Sequence, residues 1–411
     1  MPGCLWVCSF VAFTKCPQFL QMALGSDRAS MLVDGLCRAC GRWRDAFAAF
    51  GFVVGTVLTA KAVYKLIRGL NVHFGGALGL QHRLKAYGTW AVVTGCTRGI
   101  GREFVREFAA LGFNLVLVGR SEVALRELAD EIESNYGVAT VRVRVDFNSG
   151  DHVYSDIQEL LRTKDIGILV NNVGVMYEHP EFFHLIPEEK LEELLRVNIT
   201  SAQRLTHSLL KDAFVPRKRG LVVFLSSGAC LHATPQISAY AATKKYLLYL
   251  SQCLAAEMNY LGLHQVHIQV LTPMFVATQM THYNRYINTP CILLSADPRS
   301  YAKQAMWTLG KTHCTAGYWP HTIQLWAAGM VPGFAWIWFC NRMFAYFRGH
   351  LFYIRYVRSC LSIIFLLLPK TNLAIYLEFL LHWRLGGDKC CESERETVRD
   401  PVGGDWTESM T

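Results

Sequence analysis

From Tyr87 to about residue 309 the chain alternates short apolar runs with longer stretches of helical period. Strands read near 89–94, 114–118, 140–145, 167–171, 221–226 and 266–271. Helices read near 100–111, 121–135, 151–163, 188–213, 238–261 and 297–309. Strands separated by helices of ten or more residues imply right-handed crossovers and a parallel sheet covered on both faces. The expected class is therefore α/β, a doubly wound Rossmann-type parallel sheet. Its ligand crevice lies at the carboxyl ends of the strands.

The first such end carries a glycine-rich loop, Thr94-Gly95-Cys96-Thr97-Arg98-Gly99-Ile100-Gly101. It follows the apolar run Trp90 to Val93 and opens the helical stretch Arg102 to Leu111. Strand, glycine turn and helix together make a dinucleotide site credible. Gly95 permits the tight turn, and Gly99 and Gly101 let backbone and helix N-terminus approach a pyrophosphate. The spacing is G-x3-G-x-G rather than G-x-G-x-x-G.

A second constellation lies further on. Tyr240 and Lys244 are four residues apart, so a helix places both on one face. Ser227 stands at the end of the buried-strand run Leu221 to Leu225. Ketone reduction needs a hydride, a proton and a group to hold the carbonyl oxygen. Tyr240 can supply the proton, but a free phenol titrates near ~10. An ammonium at Lys244, ~5 Å away, is expected to stabilise the phenolate by about 3 kcal/mol, roughly two pKa units. Ser227 would donate a hydrogen bond to the developing charge.

Cofactor choice is read from charge. NAD sites place an acid at the end of the second strand, whereas this chain reads Leu117-Val118-Gly119-Arg120. Arg120 there, with Arg98 in the glycine loop, suits the 2′-phosphate of NADP(H). Arg98 has a second reading, a side chain facing solvent.

These elements, with Asp146-Phe147, Asn171-Asn172-Val173-Gly174 and Asn198 in order between them, resemble the short-chain dehydrogenase/reductase family over about residues 86 to 285. Gly167 to Gly174, Phe275-Val276-Ala277-Thr278 and Gly317-Tyr318-Trp319-Pro320-His321 resemble one branch of it. That branch holds the 17β-hydroxysteroid dehydrogenases of types 3 and 12, the very-long-chain 3-oxoacyl-CoA reductases and a hydroxysteroid dehydrogenase-like group. Members of that last group that carry Phe at the catalytic tyrosine position are called inactive; this chain holds Tyr240. The resemblance implies that Lys244 also holds the nicotinamide ribose and that Asn198 completes a proton relay. It implies that Asp146 and Phe147 flank the adenine, and that Ile100, Asn172, Val173, Gly174 and Val276 join the cofactor site. Thr272-Pro273-Met274 replaces the Pro-Gly of many reductases, which leaves the carboxamide contacts open.

Apolar residues make up 52% of the chain and charged residues 18%, which points to membrane contact. Ala46 to Ala60 is continuously apolar, and extension through Ile67 gives bilayer length if Lys61 and Lys65 snorkel. The stretch reads either as an anchor or as a helix packed on the domain. Arg42 and Arg44 at its other end leave orientation open. The run Leu5 to Phe13 lacks a basic segment before it and does not read as a standard secretory signal; Met31 is an alternative start. The aromatic region 310–385 reads as interfacial helices, a hairpin or a packed subdomain, and 386–411 as a polar tail.

The expected organisation is 1–45 extension, 46–85 membrane-associated helix and linker, 86–290 NADP-binding domain, 291–350 substrate-loop and membrane-proximal region, 351–385 apolar helical extension and 386–411 tail. The net charge of +9 suits an anionic surface or substrate. No basic stripe interleaved with aromatics points to nucleic acid, and Arg217-Lys218-Arg219 reads as a solvated turn. No metal site is expected: Cys37-x2-Cys40 lacks a second pair, and His179, His184, His313 and His321 lack ligand spacing. The scattered cysteines fit a reducing compartment.

The resulting expectation is a membrane-associated, NADPH-dependent reductase of a lipid carbonyl, a 17-ketosteroid or a long-chain 3-oxoacyl-CoA. Its expected place is the endoplasmic reticulum membrane with the catalytic domain in the cytosol, a mitochondrial surface being the alternative. A homodimer is an open assembly state. The rival readings are a catalytically silent cofactor-binding protein that serves interactions, and a membrane-shaping scaffold.

Overall fold

The computed structural model of the chain describes residues 27–75, 84–150, 153–283, 285–291 and 295–348. The expectations for 1–26 and 349–411, including the apolar extension 351–385 and the polar tail, lie outside the described residues.

Strands β1 (Trp90–Thr94), β2 (Asn114–Gly119), β3 (Thr140–Arg144), β4 (Ile166–Asn171), β5 (Gly220–Leu225) and β6 (Val266–Leu271) form a parallel sheet. Two residues, Cys314–Thr315, pair with Val270 and Leu271 and add a seventh strand, giving the order 3-2-1-4-5-6-7. Helices α2 (Gly99–Ala110), α3 (Glu122–Tyr136), α4 (Val153–Arg162), α5 (Glu188–Leu195), α6 (Ser201–Leu209), α7 (Ser238–Tyr260) and α8 (Pro298–Thr308) cover the two faces; α1 is Asp27–Phe74. Successive strand residues serve opposite layers. Val93 and Leu117 pack with Phe104, Phe108 and Tyr301 on one face, and Val92, Val116 and Leu169 with Ile157, Leu205 and Phe224 on the other.

Local sequence explains the helices. Ser121 caps α3 by accepting from the Ala124 N–H at 3.3 Å, and Gly137 ends it at φ 66°. Leu125, Leu128, Ala129 and Ile132 between them form its buried stripe. The expected single helix 188–213 is instead interrupted by π turns at Arg196–Thr200 and Leu210–Phe214. A π turn inserts one residue without changing the apolar character of the face, so periodicity does not reveal it.

Two helices follow the sheet: α9 (Trp319–Gly329) and α10 (Gly333–Arg348), bent by 119° at the break between them. Helix α1 is 48 residues long, far longer than the stretch 46–67 read from the sequence. Its segment Ala46–Phe74 is long and apolar enough to cross a membrane and is not buried within the protein. Among the described residues its last turn docks on the domain: Val72 and His73 are buried, His73 Nε2 and Thr322 Oγ1 lie 2.9 Å apart, and the rings of Phe74 and Trp319 are 6.3 Å apart.

Candidate active site

The sheet reverses winding direction between β1 and β4, and the glycine loop lies at that point. One hydroxyl ties the two strand ends. Thr94 Oγ1 donates to the Val170 carbonyl at 3.2 Å and accepts the N–H groups of Asn172 and Val173 at 3.0 Å each. The Asn172 amide donates in return to the carbonyls of Thr94 and Gly95 at 2.8 and 3.0 Å. Asn172 thereby shapes the loop from behind.

The loop fits a dinucleotide pyrophosphate. Gly95 and Gly99 hold φ of +64° and +55°, which a Cβ would strain. A Cβ on Gly101 would collide with the Gly95 carbonyl and the Asn172 amide, so the close packing of α2 on β1 needs glycine there. No side chain caps α2, and its first N–H groups are left for an anion.

The flanking residues have partners of their own. The Arg98 guanidinium donates to Gln279 Oε1 at 2.6 Å, across the loop. Arg120 is exposed at the end of β2. The Phe147 ring is buried against Tyr154, with centroids 5.8 Å apart. Asp146 accepts from the Asn148 N–H at 3.0 Å and closes a turn. Val276 is buried in a two-residue strand, Phe275–Val276, beside the sheet.

The reactive groups meet at the end of β5. Ser226 Oγ donates to the Lys244 carbonyl at 2.6 Å, which fixes α7 against the strand. Ser227 follows, its Oγ accepting from the Ala229 N–H at 3.2 Å and standing near enough to the Tyr240 hydroxyl to lower its pKa. Tyr240 and Lys244 are both buried. Lys244 Nζ donates to the Leu225 carbonyl at 2.9 Å and stands 5.7 Å from the Tyr240 ring centroid.

The electrostatics differ from the expectation. Burial pushes the Tyr240 phenol up to about 12, with the Ser227 hydrogen bond pulling the other way. Burial also pushes Lys244 down to about 8, opposed by Cys230. Desolvation is the largest cause of both shifts. At neutral pH the pair is a protonated phenol beside a largely charged amine, which is the proton-donating form.

Asn198 sits in the first π turn. Its Oδ1 accepts from the Val175 N–H at 2.7 Å, and its Nδ2 donates to the Val175 carbonyl at 3.0 Å and to Thr243 Oγ1 at 3.1 Å. Thr243 donates in turn to the Tyr240 carbonyl at 2.7 Å. Gly174 is the meeting point: a Cβ there would lie 3.1 Å from Lys244 Nζ and 3.4 Å from Asn198 Oδ1. Sequence reasoning missed Thr94 and Thr243. A hydroxyl at the last position of β1 was the available signal for the first.

Above Tyr240 the lining is apolar and aromatic. Cys340 and Phe344 of α10 pack with Tyr177, Ile186, Ile237 and Tyr240. Arg348 pairs with Glu181 at 2.9 Å and holds the end of α10 in place. His321 is fully buried and accepts from the Met274 N–H at 3.4 Å, a structural role.

The family model described as short chain dehydrogenase matches residues 89–286. The chain is 39% identical over 323 residues to a Homo sapiens protein named inactive hydroxysteroid dehydrogenase-like protein 1, covering 77% of this chain and 94% of that one. It is 37% identical over 282 residues to very-long-chain 3-oxoacyl-CoA reductase-A of Danio rerio, covering 67% and 84%. A solved structure from work on 7β-hydroxysteroid dehydrogenase stereoselectivity matches with a TM-score of 0.56 at 24% identity, over 63% of this chain and 100% of that one, and shows the same fold.

Proposed function

The chain belongs to the short-chain dehydrogenase family, and from that premise we propose that it is an NADP(H)-dependent carbonyl reductase of a lipid, a 17-ketosteroid or a long-chain 3-oxoacyl-CoA. The observation that carries the reading is the set Ser227, Tyr240 and Lys244, with Tyr240 and Lys244 buried and half-buried Ser227 beside the phenol. The bound nicotinamide supplies the hydride. Tyr240 transfers its proton to the carbonyl oxygen while Ser227 donates a hydrogen bond to the same oxygen. The Lys244 ammonium, 5.7 Å from the Tyr240 ring centroid, favours the phenolate left behind. The apolar residues of α10 packed around Tyr240 and the apolar α1 support a lipid substrate.

The test is NADPH oxidation by the purified full-length protein against a panel of 17-ketosteroids and 3-oxoacyl-CoAs. Turnover of at least one is expected. NADPH binding without turnover of any would favour the second reading, a cofactor-binding interaction protein. That reading is supported by the name of the human relative and by α10 packed over Tyr240.

Arg120 is the residue that selects the phosphate. Arg120→Ala is expected to weaken NADPH binding by about 1.5–3 kcal/mol, the worth of a charge-assisted hydrogen bond, and to leave NADH unchanged. Fluorescence titration of both cofactors checks this, and equal weakening of the two would remove Arg120 from the cofactor site.

The chain is tethered to a membrane through residues 46–67, in the endoplasmic reticulum, with the catalytic domain in the cytosol. Free thiols such as Cys96 and Cys230, and the need for NADPH, both favour a reducing phase. Carbonate extraction is expected to leave the protein in the pellet, and complete release would rule out a spanning helix. The domain is expected to be open to protease added to sealed microsomes.

A further inference from the structure

The end of α1 and the start of α9 touch, through Phe74 and Trp319 and through His73 and Thr322. If 46–67 crosses a bilayer, the seven residues from Ile67 to Phe74 rise only about 10 Å, at 1.5 Å per residue. Helix α9 is thereby held at the level of the headgroups on the side where α1 emerges.

What α9 and α10 present there is apolar. Trp326 is 66% exposed, Phe334 78% and Trp338 64%, with Ile323 and Met330 exposed beside them. The opposite side of α10 is buried on the catalytic chamber through Cys340 and Phe344. Between Trp319 and Arg348 there are two arginines and no acidic residue. Among the described residues neither helix is long enough to span a bilayer: the eleven residues of α9 reach about 16 Å and the sixteen described residues of α10 about 24 Å, against ~30 Å of hydrocarbon. The bend of 119° rules out a single continuous rod. Short helices with one apolar, tryptophan-bearing face and only positive charge suit the plane of an anionic membrane surface.

We infer that α9 and α10 form an interfacial platform, its outer face of Ile323, Trp326, Met330, Phe334 and Trp338 seated in the headgroup layer. The inference rests on the tether through 46–67 proposed above. Its consequence is that one helix, α10, touches both the bilayer and the chamber of Tyr240.

Photolabelling tests it. The full-length protein is reconstituted in vesicles of phosphatidylcholine and phosphatidylserine that carry a diazirine high on one acyl chain. Adducts are then mapped by mass spectrometry. Adducts are expected in 46–67 and in 319–348. Adducts in 46–67 alone overturn the inference and leave the tether standing; the face is then covered by protein, either residues 349–411 or a second copy. Adducts in 319–348 alone uphold the platform and refute the tether, and adducts in neither refute both. In the variant W326E/F334E, labelling of 319–348 is expected to fall at least tenfold with labelling of 46–67 unchanged. A thermal midpoint close to the parent's shows that the variant is folded, and undiminished labelling in it would overturn the platform.

Discussion

Tyr240→Phe is expected to lower reduction by a hundredfold or more while NADPH affinity stays the same. The hydroxyl carries the only proton placed for transfer, and general-acid contributions of that order are usual. The ring keeps its place among Tyr177, Ile186, Ile237 and Phe344, so packing survives. Burial holds the phenol up at about 12, so it is neutral at pH 7 and its raised pKa costs the fold nothing there. The thermal midpoint of the variant is therefore expected to stay within a few degrees of the parent, in either direction. Steady-state kinetics and a melting curve on the same preparation check both halves. A kcat equal to the parent's removes Tyr240 from the chemistry.

The second large effect is expected at Gly101. An added methyl would meet the Gly95 carbonyl and the Asn172 amide, both of which are fixed by the Thr94 hydroxyl network. Overpacking of this kind typically costs about 1–3 kcal/mol. Here it is relieved only by moving the loop that would hold the pyrophosphate. Gly101→Ala is expected to weaken NADPH binding tenfold or more, and to lower the thermal midpoint by roughly 2–4 °C per kcal/mol for a domain of this size. Gly137→Ala is the contrast: the position has a positive φ but open space around it and lies far from the crevice, so it costs stability alone. Equal NADPH affinity in Gly101→Ala and the parent would refute the cradle.

The parts of the fold that were legible in the sequence are those written in contiguous residues. Continuous apolar runs gave six strands within a residue or two of their observed limits, and their spacing by helices implied the parallel sheet. The glycine loop was legible for the same reason, since three glycines and a flanking strand and helix occupy one short segment. The Ser227, Tyr240 and Lys244 set needed only a strand end and a helical repeat of four.

What stayed hidden depends on residues far apart in the chain. The seventh strand, Cys314–Thr315, is two residues long and is defined by its partner, not by a pattern. The phenol pKa came out on the wrong side because a Coulomb estimate between two residues ignores what burial by α10 and the sheet does to both. The partner of Arg98, Gln279, lies 181 positions later. The reach of α1 beyond 46–67 at both ends was obscured by the charged residues flanking the apolar run.

The separation of ring and hydroxyl at Tyr240 bears on how such a chain drifts over evolutionary time. Most lost active sites leave a scar, an empty cavity or an unpaired charge that selection against misfolding will notice. Here Lys244 is satisfied by the Leu225 carbonyl, and Asn198 by Val175 and Thr243, so neither depends on the phenol oxygen. A single-atom deletion can silence the chemistry and leave Lys244 and Asn198 with the partners they have. A lineage built on this scaffold can lose turnover in one step, keep a folded protein that holds its nucleotide, and regain turnover just as cheaply.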